Sequence, residues 1–324
     1  MSRAGKEGIL LNGYVLLDAG GTEIKSAAFS GSGDRLDSIH SAPSHARAGK
    51  EKILENLLDV IAREKEILEE NGYRLGCAGM AFPGPFDYEN GISHIRGLAK
   101  YDAIEGVVLE EALKSIPGQT VLAPETRFFF RHDVDSFALG IASRDPSCAD
   151  GRTICLCIGT GAGSAFLEDG RLRKQGPGVP DNGWIYPFPF RGLTVDDWVS
   201  VRGLERITLE AGFPEGTSGK DLSGMAAQGN RQALAVWKDF GILIADALQP
   251  FAEAFRPQRL VLGGQISKAE RYFGNGIRER YPELPILTVS DTTEYILAGL
   301  LAADREGPAE IRQSPEIERY GDKE

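Results

Sequence analysis

Short apolar runs that end at Gly, Asp or Pro alternate along the chain with longer segments of helical spacing. "YVLLD", "SAAFS", "LGCAGMAF", "TVLA", "TICLCIG", "GSAFLE", "RLVLGG" and "PILTVS" read as strands. Their near-continuous apolar character predicts burial on both faces, as in an α/β sheet. Over residues 49–71, Ile53, Leu57, Leu58, Ile61 and Leu68 recur at spacings of three and four, which predicts a helix. The same spacing recurs near 107–114, 134–143, 196–211, 231–255 and 293–303. Pro250 lies inside "IADALQPFAEAF" and should kink or split that helix. The first thirteen residues and the stretch from about Glu306 to Glu324 are polar, lack a period and read as tails.

A weak internal symmetry overlies this pattern. "VLLDAGGTEIKSAAFS" and "ICLCIGTGAGSAFLEDGRL" each read as strand, glycine-rich turn and returning strand, about 140 residues apart. One such hairpin per half predicts a duplicated architecture with two lobes facing across a cleft.

Composition narrows the function classes. A chain of 324 residues that is 42% hydrophobic can bury a substantial core in two lobes. Its formal net charge of -11 argues against a nucleic-acid partner, which needs clustered Lys and Arg. Cys77, Cys148, Cys155 and Cys157 form no CxxC pair, fit reduced intracellular thiols, and leave no zinc framework. Cys155 and Cys157 alternate and should share one strand face as small buried hydrophobes. No apolar run reaches the roughly 18 residues that would predict a membrane span, so the expectation is a cytoplasmic protein without a membrane partner.

The glycine turns carry the candidate chemistry. In "DAGGTEIK", glycines remove the Cβ atoms that would keep a phosphate off the backbone. Asp18 can hold a hydrated Mg²⁺, and Thr22 adds a hydroxyl. That stretch alone fits a plain Gly-Gly hairpin equally well. Gly159, Thr160, Gly161 and Gly163 form a second such turn. Gly263 and Gly264 end a third run, where a ribose or base can approach the backbone or a strand simply turns into a helix. Lys25 has the length to reach a phosphate but reads most simply as an exposed strand lysine. His94 and His132 have no ligand spacing for a metal cluster.

"DAGGTEIK", "GMAFPGPFDYENG", "HDVDSFALG", "IGTGAGSAF" and "LVLGGQIS", in this order, resemble the ROK family of sugar kinases and related bacterial glucokinases. The resemblance runs from about Tyr14 to Asp304. It implies an actin-like ATPase (ribonuclease H-like) fold, an α/β duplicated two-lobe structure with an interlobe cleft. It divides the chain into a small N-terminal lobe (1–132) and a large C-terminal lobe (133–291). A helix at about 292–305 packs back on the first lobe, and 306–324 form a polar tail. The implied ligands are ATP, Mg²⁺ and a sugar. The two hairpins (Asp18, Gly20, Gly21, Thr22; Gly159, Thr160, Gly161) embrace the phosphates, with Asp18 facing the metal through water. Gly263 and Gly264 lie against the adenosine. Asp133 takes the sugar hydroxyl proton, although aspartate there also suits a helix N-cap. Asp135 sits in the first helical turn, favourable to its dipole. Family members often dimerise, so a homodimer is open.

The sugar side departs from the family pattern. His132 replaces an Asn, and Gly97-Leu98 stands for an Asn-Leu pair. The Glu and His of the usual zinc motif become Asp181 and Trp184, with no cysteine following. Pro83 and Gly84 match a loop that backs the sugar, and Asp196 stands where a sugar-binding Glu is expected. Trp184, Tyr186, Phe188 and Phe190 can form a stacking face or simply fill the lobe core. These changes leave a catalytically degenerate sugar sensor as the alternative. Only about thirteen residues precede "YVLLD", too few for the helix-turn-helix of a ROK repressor.

Overall fold

The computed structural model describes residues 11–306, so the expected tails fall largely outside the described residues. Two five-stranded sheets form. The first contains β1 (Leu11–Ala19), β2 (Glu23–Phe29), β3 (His40–Pro43), β4 (Tyr73–Phe82) and β5 (Arg127–His132). The second contains β6 (Arg152–Ile158), β7 (Ala162–Glu168), β8 (Arg171–Arg173), β9 (Arg259–Gly263) and β10 (Ile286–Thr288). Their spatial orders are β3-β2-β1-β4-β5 and β8-β7-β6-β9-β10. In each sheet the leading hairpin is antiparallel and the later strands join it in parallel. Both halves therefore repeat one topology, the duplicated α/β architecture expected of the actin-like ATPase fold.

Four helices account for most of the cover: α1 (Lys50–Glu70), α2 (Asp133–Arg144), α3 (Arg231–Phe255) and α4 (Thr292–Glu306). Val15, Leu17 and Ile24 meet Ile53, Leu57 and Ile61 of α1 on the outer face of the first sheet. Ile154, Leu156 and Leu260 meet Trp237, Phe240 and Ile244 of α3 on the outer face of the second. Leu16, Ala27 and Phe29 of one sheet and Cys155, Leu167 and Val261 of the other share a middle core with α2 and α4. Burial on both faces is why the strands read as unbroken apolar runs.

Some elements differ from expectation. β1 begins at Leu11, paired with β4 across an irregularity at Gly13/Tyr14, where a side chain at Gly13 would strike Leu68 and the Phe29 carbonyl. "TVLA" is a loop, and the edge strand is "RFFFRH", with Phe129 in the middle core and Phe130 in the outer one. α3 runs unsplit through Pro250, because Leu248, Phe251, Ala252 and Phe255 on either side stay in the core. Residues 196–211 split into Val195–Trp198 and Val201–Glu210 because Thr194 and Ser200 each cap a separate start. Besides the single turn Pro146–Ala149, two longer helices escape the periodicity, Gly219–Ala227 and Glu270–Arg280, since internal glycines dilute it; the Ser218/Asp221 capping box marks the first of these two.

Among the described residues, no helix is long and apolar enough to cross a membrane.

Candidate active site

The sheets direct the carboxyl ends of β1, β4, β5, β6 and β9 toward one region, where α/β proteins gather ligands. A cavity of about 330 Å³ opens there, lined among others by Gly84, His132, Asp133, Thr160, Trp184 and Gly264. Pro83, Gly159, Gly161 and Asp196 also line it.

The two glycine turns share one hydrogen-bonding logic. In the first, Tyr101 Oη donates to the Gly20 carbonyl at 3.0 Å and Ser44 Oγ to the Gly21 carbonyl at 2.9 Å. The Ser44 N–H takes the Thr22 carbonyl at 2.9 Å. In the second, the Val201 N–H takes the Gly159 carbonyl, Arg202 takes that of Thr160 and the Gly159 N–H takes that of Gly161, each at 2.9 Å. The N–H groups of Gly21, Thr22, Thr160 and Gly161 have no partner among the described residues. Carbonyls bonded inward leave these N–H groups available as donors.

Asp133 is the first residue of α2, not its cap; His132 occupies the cap position. Asp133 Oδ1 accepts the Val134 N–H at 2.8 Å and lies 3.5 Å from His132 Nε2. The His132 ring, 9% exposed, packs against Trp184 at 5.3 Å and edge-on to Tyr88 at 6.0 Å. Asp135 is buried and ion-paired with Lys174, so it does more than complement the helix dipole.

Asp18, one residue before the end of β1, stands opposite Lys25, which is half-buried rather than exposed. Its Oδ2 accepts Thr293 Oγ1, in the first turn of α4, at 3.1 Å. Burial, then the charge of Asp133, push the Asp18 carboxyl up to about 7. The folded protein therefore holds this proton between about pH 4 and pH 7, where the unfolded chain has released it. Its contribution to stability is complete in acid and is lost as pH rises through that window. Thermal melting from pH 4 to pH 8 should show this decline in the ligand-free protein, and Asp18→Asn should flatten it. An identical pH profile in the variant would refute the assignment.

Other expected residues stand differently. Asp181 is exposed and absent from the cavity lining, because Asn182 (φ 59°) and Gly183 (φ 73°) turn the chain there and Ser164 Oγ holds the Gly183 carbonyl at 2.7 Å. Trp184 and Tyr186 enter the cavity; Phe188 packs on Phe251 at 4.9 Å and Phe190 against the second core. Asp196 lines the cavity with both oxygens engaged, Oδ1 by the Ala162 N–H at 2.8 Å and Oδ2 by Arg202. It braces the second glycine turn. Gly263 is buried, its missing side chain leaving room for Cys157, Phe137 and Thr292, whereas Gly264 (φ +85°) lines the cavity. Cys155 and Cys157 do share the middle-core face, and Cys157 reaches the cavity; burial keeps its thiol well above the usual range. Lys100, Arg202 and Thr293 escaped the sequence reading, since no local motif marks them. Among the described residues no cluster of three or more His, Cys, Asp or Glu is arranged to hold a metal.

A family model described as ROK family matches residues 14–299. A glucokinase of Thermotoga maritima is 24% identical over 307 residues, spanning 88% of this chain and 92% of that protein. An N-acetyl-D-glucosamine kinase of Haemophilus influenzae is 25% identical over 275 residues, spanning 78% and 84%. Among solved structures, a ROK family glucokinase from Streptomyces griseus with glucose and AMPPNP superposes with a TM-score of 0.69 at 17% identity, over 90% of this chain and 99% of that one. A ROK family transcriptional regulator, homologous to the E. coli MLC protein, superposes at 0.71 and 18% identity, over 90% and 78%.

Proposed function

This chain belongs to the ROK family, and from that premise we propose that it transfers the terminal phosphoryl group of ATP to a hydroxyl of a hexose or related sugar. One observation carries the reading: the second glycine turn and an aspartate at a helix start line one cavity at the strand ends, and the first glycine turn, which does not itself line it, adjoins it through Lys100 beside Gly21. Kinase relatives, among them the T. maritima glucokinase, support the same reaction class.

In the proposed reaction the sugar hydroxyl oxygen bonds to the terminal phosphorus while the bridging P–O bond breaks. ADP departs with the bridging electrons, and the hydroxyl proton passes to Asp133. The free N–H groups of the turns bind phosphate oxygens, and cavity closure excludes competing water. Asp18 would hold Mg²⁺ on its phosphate-facing side. The residues fit that ion: two half-buried carboxylates, Asp18 and Asp133, stand close enough for one charge to raise the other, and Mg²⁺ commonly needs only one or two carboxylates beside phosphates and water. When bound, Mg²⁺ neutralises triphosphate charge.

A second reading, a sugar sensor on the same scaffold, draws on Asp181 being exposed and outside the cavity lining and on the superposed regulator. A panel of hexoses and amino sugars, each assayed with ATP and with inorganic polyphosphate, separates the two. Sugar-dependent ADP release is the expected result. Saturable sugar binding with no phosphorylated product from either donor would replace the kinase with the sensor.

A further inference from the structure

We infer that Lys100 binds the terminal phosphate of the donor, a role resting on the kinase reading and adding a residue to it. Lys100 is the sole lysine or arginine among the residues lining the cavity. Its neighbours there include Asp133, and Asp18 lies close behind, so an anionic donor entering without a cation would meet two carboxylates. Lys65, Lys114, Lys174 and Lys238 each have a carboxylate partner. Lys100 is half-buried as a residue, and its ammonium has no hydrogen bond or ion pair among the described residues. An unpaired cation at the cavity wall is available to an anion, and a phosphate oxygen in the cavity supplies the partner.

The backbone holds Lys100 for this task. Ala99 (φ 54°) and Tyr101 (φ 60°) on either side are both non-glycine residues in the left-handed region. Such a conformation persists only where its surroundings impose it. Here Tyr101 is fully buried, packs on Phe82 at 4.7 Å and donates its hydroxyl to the Gly20 carbonyl at 3.0 Å. The Lys100 stem lies along the same turn: a Cβ at Gly21 would stand 3.0 Å from Lys100 Cδ. The charge and the free N–H groups of the first turn thus stand side by side. An ammonium is a compact charge suited to non-bridging phosphate oxygens.

Lys100→Met keeps the unbranched stem over Gly21 and removes only the charge, while Lys100→Arg keeps the charge. In the full chain, Lys100→Met should weaken ATP binding about tenfold or more, leave AMP binding unchanged, and lower kcat/KM for ATP by roughly 100-fold. Lys100→Arg should recover part of both losses, and the KM for sugar at saturating ATP should not move. Equal ATP and AMP affinities, relative to wild type, in Lys100→Met would overturn the inference even with the kinase intact. If the wild type binds ATP but phosphorylates no sugar, the kinase reading falls, and the ATP-to-AMP affinity ratio of the variants still decides on Lys100. Should the Met variant not fold, as judged by melting, a wild-type ratio in Lys100→Gln would overturn it equally.

Discussion

Replacing Asp133 by Asn or Ala lowers sugar phosphorylation by about 100- to 10,000-fold, the range for loss of a general base, while ATP still binds. The expectation follows from where the carboxylate stands. One oxygen is occupied by the Val134 N–H, which fixes the side chain at the start of α2 and leaves the other oxygen for a hydroxyl proton. Asparagine preserves the shape and that hydrogen bond but cannot take a proton, so it isolates base chemistry from positioning. The same change removes a negative charge that helps raise the Asp18 carboxyl, so the pH-dependent loss of stability should shift toward lower pH. Turnover and nucleotide affinity measured side by side check both parts. Near-normal turnover in either variant would end the assignment of Asp133 as base.

The second large effect lies away from the cavity. Gly140→Ala in α2 or Gly299→Ala in α4 should destabilise the fold by about 1–3 kcal/mol or more, the usual cost of overpacking. At Gly140 an added Cβ would come 1.8 Å from the Tyr295 carbonyl oxygen, and at Gly299 it would come 1.8 Å from that of Ser136. These are backbone atoms, so no rotamer change relieves the clash and the helices must separate. α2 begins at Asp133, and α4 carries Thr293, which holds Asp18. Separating them should disturb Asp133 and Asp18, the proposed base and metal-facing carboxylate, together. Thermal melting should show a drop of several degrees in each variant, with weaker Mg²⁺-ATP binding. Unchanged melting in both would show that the helices do not cross as closely as described.

How much of this was legible depends on whether a residue's role is local. The glycine turns and Asp18 stand out because bare backbone and a carboxylate near a strand end are local features, whereas Asp133 stands out only through the family resemblance of "HDVDSFALG". Asp181 and Asp196 were assigned by position along the chain, yet the left-handed Asn182 turns the first outward and the Ala162 N–H and Arg202 occupy the second. "RFFFRH" gave no strand alternation because an edge strand covered on both faces has none to show. Lys100 stands in a loop with no motif, and only the fold of "GLAKY" over the first glycine turn reveals what its charge faces.

The order of the motifs, then, identified the family, and local chemistry the repeated glycine hairpins, since bare backbone and two-face burial leave marks on neighbouring residues. Tertiary structure alone decided which carboxylates remain available, which glycines serve helix packing and which lysine enters the cavity. Those outcomes depend on distances between segments far apart in the chain, and no local pattern encodes them.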